Sequence, residues 1–153
     1  MNLDNLSVNK STSKIRAFNK FSVVTDLVRR FKETNDQKDL LEIIKNLEGS
    51  SFVLLEANYD PNILAYSRYP YSLKQRIAGP NGHLSNEAAG KTISCLLNSG
   101  LQNVMLGHLS KESNFPELAY KTVIDELCAN NFDENKIKVG IANRSNPSEI
   151  LNL

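Results

Sequence analysis

The chain has 153 residues, 41% of them hydrophobic and 23% charged, and its formal net charge is +1. That length supports one domain with a real core, and so balanced a charge singles out no partner by itself. Two cysteines without CxxC spacing argue against a disulfide framework, the polar first residues do not read as a secretory signal, and no apolar run reaches membrane-spanning length.

Residues 1–19 are rich in Asn, Ser and Lys and are expected to form a poorly ordered segment, with one domain over 20–153. Seven basic side chains lie within residues 1–32 against Asp4 and Asp26, which reads first as a solvated surface. "KFSVVTD" is a short β-branched run ending on Asp26. "DQKDLLEIIKNLEG" places Leu40, Ile43, Ile44 and Leu47 on one helical stripe, with Gly49 at its end. "SFVLL" reads as a buried strand ending at Glu56. Pro61, Pro70 and Pro80 then restrict "DPNILAYSRYPYSLKQRIAGPNG" to short helices and turns.

Ser85 is a candidate cap for a helix over "SNEAAGKTISCLLNSG", which Gly100 would end. "NVML" is a further strand, ending at Gly107-His108. "NFPELAYKTVIDELCANN" is a helix with Asn114 three residues before Glu117 and Pro116 in its first turn. "KIKVGIA" is the last strand. Strands alternating with helices predict an α/β fold, and continuous apolar strands predict a sheet covered on both faces. Cys95 and Cys128 fall in the helical stretches and read as small buried residues of a cytoplasmic protein.

The two histidines of the chain sit in near-identical hexapeptides, "GHLSNE" at 82–87 and "GHLSKE" at 107–112. Asp26, Glu56 and His108 are each placed at the C-terminal end of an expected strand, and His83 in a glycine-flanked loop before a helix. Ligands of α/β folds bind beyond the carboxyl ends of the strands, so these four side chains can converge on one site.

"LLEANYD", "RYPYSLKQRI", "GHLSNEAAG" and "VMLGHLSKESNFPELA", in that order, closely resemble the C-terminal half of the YycJ/WalJ-type nucleases, and "VVTD" resembles the segment preceding them. These nucleases are metallo-β-lactamase-fold hydrolases. The resemblance is firm over about 51–123 and extends over about 20–142. It implies a partial αββα sandwich with a mixed sheet and covering helices. It also implies a cytoplasmic metal-dependent phosphodiesterase, a DNA exonuclease, with two zinc or manganese ions. By the same resemblance Asp26 and His108 are metal ligands, while Glu56 and His83 are a catalytic pair at the scissile phosphate. Ser85, Asn86 and Ser110 would contact phosphate, and Lys74 and Arg76 the DNA backbone. The family's HxHxDH motif is missing from this sequence, as is the glycine that follows the aspartate. Half a sandwich leaves an apolar face, which a homodimer or a partner supplying the other half would cover. The alternative is an inactive nucleic-acid-binding or assembly subunit derived from the same family.

Overall fold

The computed structural model describes residues 37–47 and 49–145. The expected strand at "KFSVVTD", the site residue Asp26 and the proposed boundary at residue 19 lie outside them. The chain divides into two compact units, residues 1–46 and 47–153. Of the first, the described part is the helix α1, Gln37–Leu47, whose last residue belongs to the second unit. Gly49, the expected terminator, has φ of 73°, a left-handed conformation that glycine adopts without cost.

The second unit is built on three strands, β1 (Phe52–Glu56), β2 (Asn103–Gly107) and β3 (Lys138–Ile141). They form a sheet in the order β1-β2-β3, and both pairings are parallel. The described strands therefore give a purely parallel sheet rather than a mixed one. Parallel neighbours need long crossovers, and the sequence supplies helices for both. Between β1 and β2 run α2 (Pro61–Tyr66), α3 (Tyr71–Ala78) and α4 (Asn86–Ser94). Between β2 and β3 runs α5 (Pro116–Cys128). No described helix is long and apolar enough to cross a membrane.

The in-register rows Val53–Val104–Val139 and Leu55–Leu106–Ile141 share one face of the sheet. Val53, Val104 and Leu106 are buried there, and Ala89 and Ile93 of α4 and Ala119, Val123 and Leu127 of α5 are buried as well, the two helices packing on each other. Each large aliphatic side chain in this layer contributes about 1.5–3 kcal/mol through burial. The other face differs from the sequence expectation. Leu54 points that way and is 53% exposed, so the apolar run "FVLL" has one dry face, not two. The cysteines also differ from expectation: Cys95 is half-buried and Cys128 exposed.

Helix α4 ends at Ser94, earlier than Gly100, because the chain tightens into turns. Leu96 N–H reaches back to Ile93 and Ser99 N–H to Leu96, three residues each, and the Ser94 hydroxyl donates to the Gly90 carbonyl. Gly100 still carries φ of 88° and closes that turn.

Helices α4 and α5 touch at Gly90. A Cβ there would lie 2.7 Å from Glu126 Cβ and 3.0 Å from its Cγ. Gly90→Ala gains helix propensity of about 1 kcal/mol, but it drives two packed helices apart. The expected net outcome is a lower melting temperature and a loss of about 1–2 kcal/mol in chemical denaturation. A variant as stable as the parent would show that the helices part freely.

Candidate active site

The residues after β1 build the site. Ala57 N–H donates to the Gly107 carbonyl at 3.0 Å, extending the β1–β2 ladder by one bond. Ala57–Asp60 then runs as a strap between two loops. On one side Asn58 N–H donates to Leu84 O at 2.8 Å, and Asn86 N–H to Tyr59 O at 3.0 Å. On the other, Ser110 N–H donates to Asn58 O and Asp60 N–H to Ser113 O, both at 2.8 Å. The first loop carries His83 and the second His108, so the strap sets the distance between them.

Glu56, the last residue of β1, meets both. Its Oε1 lies 2.6 Å from His83 Nδ1 and 2.6 Å from His108 Nδ1. A carboxylate oxygen accepts, so this contact suits an Nδ1–H on each ring; the Asn58 amide nitrogen also lies 3.4 Å from His108 Nδ1. The ring centroids are 5.1 Å apart, with planes inclined by 50°. Glu56 Oε2 accepts from Leu84 N–H at 3.3 Å. Glu56 and His83 are half-buried and His108 is exposed. The donor atoms of the three side chains lie within 4.8 Å of one another.

His108 sits at φ 58°, a left-handed conformation uncommon outside glycine. The Asn58 amide holds it there, donating to the His108 carbonyl at 2.6 Å. Behind the strap, Asn114 and Asn86 form a buried reciprocal pair, with Asn86 Nδ2 donating to Asn114 Oδ1 at 3.0 Å and Asn114 Nδ2 lying 2.8 Å from Asn86 Oδ1. The Asn114 amide nitrogen also lies 2.9 Å from Ala57 O and 3.0 Å from Asn58 O. Asn114 thus acts less as the expected helix cap than as a rivet through the strap. Asn58 and Asn114 were not among the sequence-derived site residues. "EAN" and "SN" are ordinary dipeptide and tripeptide strings, and only the fold shows what their amides join.

The remaining sequence candidates have local partners. Ser85 Oγ accepts from Ala88 N–H at 3.2 Å and caps α4. Asn86 is fully buried. Ser110 Oγ accepts from Ser113 N–H at 3.1 Å and Glu112 N–H at 3.3 Å. Lys74 Nζ donates to Ala65 O at 2.6 Å, tying α3 to α2, while Arg76 is exposed.

The chain has relatives among curated proteins. Exodeoxyribonuclease WalJ of Streptococcus pneumoniae serotype 2 (strain D39 / NCTC 7466) is 42% identical over 85 residues, covering 56% of this chain and 30% of the relative. Exodeoxyribonuclease YycJ of Bacillus anthracis is 33% identical over 81 residues, covering 53% of this chain and 31% of the relative. The chain is similar to WalJ/YycJ-type exodeoxyribonucleases over about half its length. It spans about 30% of the length of these relatives. No family model matches it, and no solved structure does.

Tyr59, buried in the strap, has its phenol pushed above the ordinary value of 10.0 by burial first, then by the Glu87 and Glu56 carboxylates. Folding therefore disfavours the phenolate. The linked stability is present below pH 10 and is lost as pH rises through the higher folded value. In urea titrations from pH 8 to 11, the parent should lose stability more steeply than Tyr59→Phe. Parallel curves would contradict the assignment. Asn114→Ala leaves two strap carbonyls and Asn86 without its amide, and should cost about 2–3 kcal/mol in the same assay.

Proposed function

We propose that the chain is a metal-dependent phosphodiesterase of the metallo-β-lactamase class, acting on DNA as an exonuclease, and that it corresponds to the C-terminal portion of such an enzyme. The observation that carries the reading is Glu56 Oε1 at 2.6 Å from both histidines. The WalJ and YycJ relatives, named as exodeoxyribonucleases, support the choice of DNA.

The donor chemistry suits a divalent ion such as zinc or manganese. One carboxylate and two imidazoles lie within 4.8 Å of one another. A metal-bound histidine usually gives its second ring N–H to a carboxylate, which fixes the tautomer. His108 meets that requirement, because Glu56 takes its Nδ1–H and Nε2 is then the nitrogen suited to a metal. The sequence resemblance names Asp26 as a further ligand, and it lies outside the described residues. When bound, the ion supplies Lewis acidity and a water more acidic than bulk water.

The chain's own groups do the rest. Glu56 holds the His83 ring with its proton on Nδ1 and balances positive charge on the imidazole. His83 is thereby a donor that stabilises charge on a phosphate oxygen or protonates the departing oxygen. Ser85, Asn86 and Ser110 act by shaping the two loops. Lys74 and Arg76 lie on α3, which leads directly to His83 through His83 N–H donating to Ile77 O at 2.8 Å. Their charges oppose the DNA backbone.

A second reading has one observation in its favour. The chain has two histidines and no HxHxDH, fewer ligands than a two-metal site uses. A nucleic-acid-binding or assembly subunit of the same descent would bind DNA without turnover.

The test pairs metal binding with hydrolysis on the full chain. By titration calorimetry with zinc and with manganese, His108→Ala should abolish measurable binding and Glu56→Gln should weaken it about 10–100-fold. His83→Ala should keep the metal and lower cleavage of an end-labelled oligonucleotide at least 100-fold. Equal loss of metal in both histidine variants would overturn the division of roles. DNA binding without hydrolysis in the metal-loaded parent would establish the second reading.

A further inference from the structure

The connection between Glu56 and His83 does more than join them. From Pro61 to Asn86 the sequence has no acidic residue, while Arg68, Lys74 and Arg76 are basic. Within this run "YSRYPY" places Tyr66 at the end of α2 and Tyr71 at the start of α3. Their side chains are 91% and 74% exposed, the most exposed of the large hydrophobic residues described. Exposing two aromatic rings forfeits burial that a folded chain normally takes. The rings are also held on a firm base. Lys74 Nζ ties α3 to Ala65 O, and Gln75 Nε2 donates to Tyr71 Oη at 2.9 Å.

Tyr66 borders an open hollow of about 470 Å³, lined also by Asn62, Ile63, Ser67, Arg68 and Glu112. Glu112 belongs to the loop that also carries His108, so the hollow is shared by that loop and the helices. Its carboxylate repels phosphate, which leaves the hollow to uncharged base rings and directs phosphates toward the arginines.

We propose that the Tyr66–Tyr71 surface is a stacking platform for unpaired bases at the end of a DNA strand, with Arg68 and Arg76 holding the phosphates. Aromatic rings interleaved with cations are the pattern used on single strands, because every base offers a face and every linkage a charge. The proposal deepens the phosphodiesterase reading and rests on its choice of DNA. It adds that the strand arrives single-stranded, over the connection whose two ends fix Glu56 and His83.

The test is fluorescence anisotropy with a labelled 12-nucleotide single strand and a blunt duplex of equal length, in EDTA so that no turnover occurs. The parent should bind the single strand more tightly than the duplex. Tyr66→Ala with Tyr71→Ala should weaken single-strand binding at least tenfold, at unchanged salt slope. Tyr66→Phe with Tyr71→Phe should restore it, since stacking needs the ring and not the hydroxyl. Arg68→Gln with Arg76→Gln should flatten the logarithmic salt slope by about 1.4. Both tyrosines are exposed, so the variants should keep the parent's circular dichroism spectrum.

Undiminished binding by the alanine variant, or a phenylalanine variant as weak as the alanine one, would overturn the platform and leave the phosphodiesterase reading standing. A parent that binds neither DNA would overturn both. Tyrosine-dependent binding in a protein without hydrolysis would support the platform and remove only the catalytic reading.

Discussion

Everything at the candidate site depends on where the chain goes after β1. A strand that ends on a carboxylate would ordinarily leave that carboxylate in water. Here the next four residues stay extended and are bonded on both sides, to the His83 loop and to the His108 loop. Two loops from different crossovers are thereby fixed to one short segment. The backbone bonds contribute about 1 kcal/mol each. The buried Asn86–Asn114 pair supplies what backbone cannot, a link between the loops behind the strap. With the loops fixed, a single oxygen of Glu56 is enough to unite His83 and His108, which lie in different crossovers.

That arrangement explains the two related hexapeptides. Both histidines follow a glycine and precede a helix, and both give Nδ1 to Glu56, yet their backbones differ. His83 N–H is bonded to the end of α3, while His108 is held left-handed by Asn58. One carboxylate oxygen thus meets Nδ1 of two rings while each ring approaches from its own direction. The roles proposed for the two imidazoles, one toward an ion and one toward a phosphate, need fixed ring orientations, and this geometry supplies them.

Much of this was legible in the sequence because it rests on local signals. Apolar runs bounded by glycine and proline marked β1, β2 and β3, and helical stripes with caps marked the helices. The rule that sites form at strand ends brought Glu56, His83 and His108 together before any coordinates. What stayed illegible was of two kinds. Leu54 reads the same whether its face is covered or open, because composition does not say what packs on a strand. Asn58 and Asn114 act through amide bonds to segments 50 or more residues away, and no local pattern encodes such a partner. Ser85, Asn86 and Ser110 looked like phosphate ligands because small polar residues beside histidines usually are candidates. In the fold their hydrogen bonds cap a helix, join two loops and close a turn, partners that the sequence did not show.

The claim at the centre of the account is that Glu56 serves both histidines at once. Its most direct test is long-range ¹H–¹⁵N NMR of the imidazole rings in the metal-free parent and in Glu56→Gln. The account predicts that both His83 and His108 carry a proton on Nδ1 in the parent, and that the signals of both rings move in the variant. A response confined to one ring would show that the carboxylate has a single partner, and that the two histidines do not form one site.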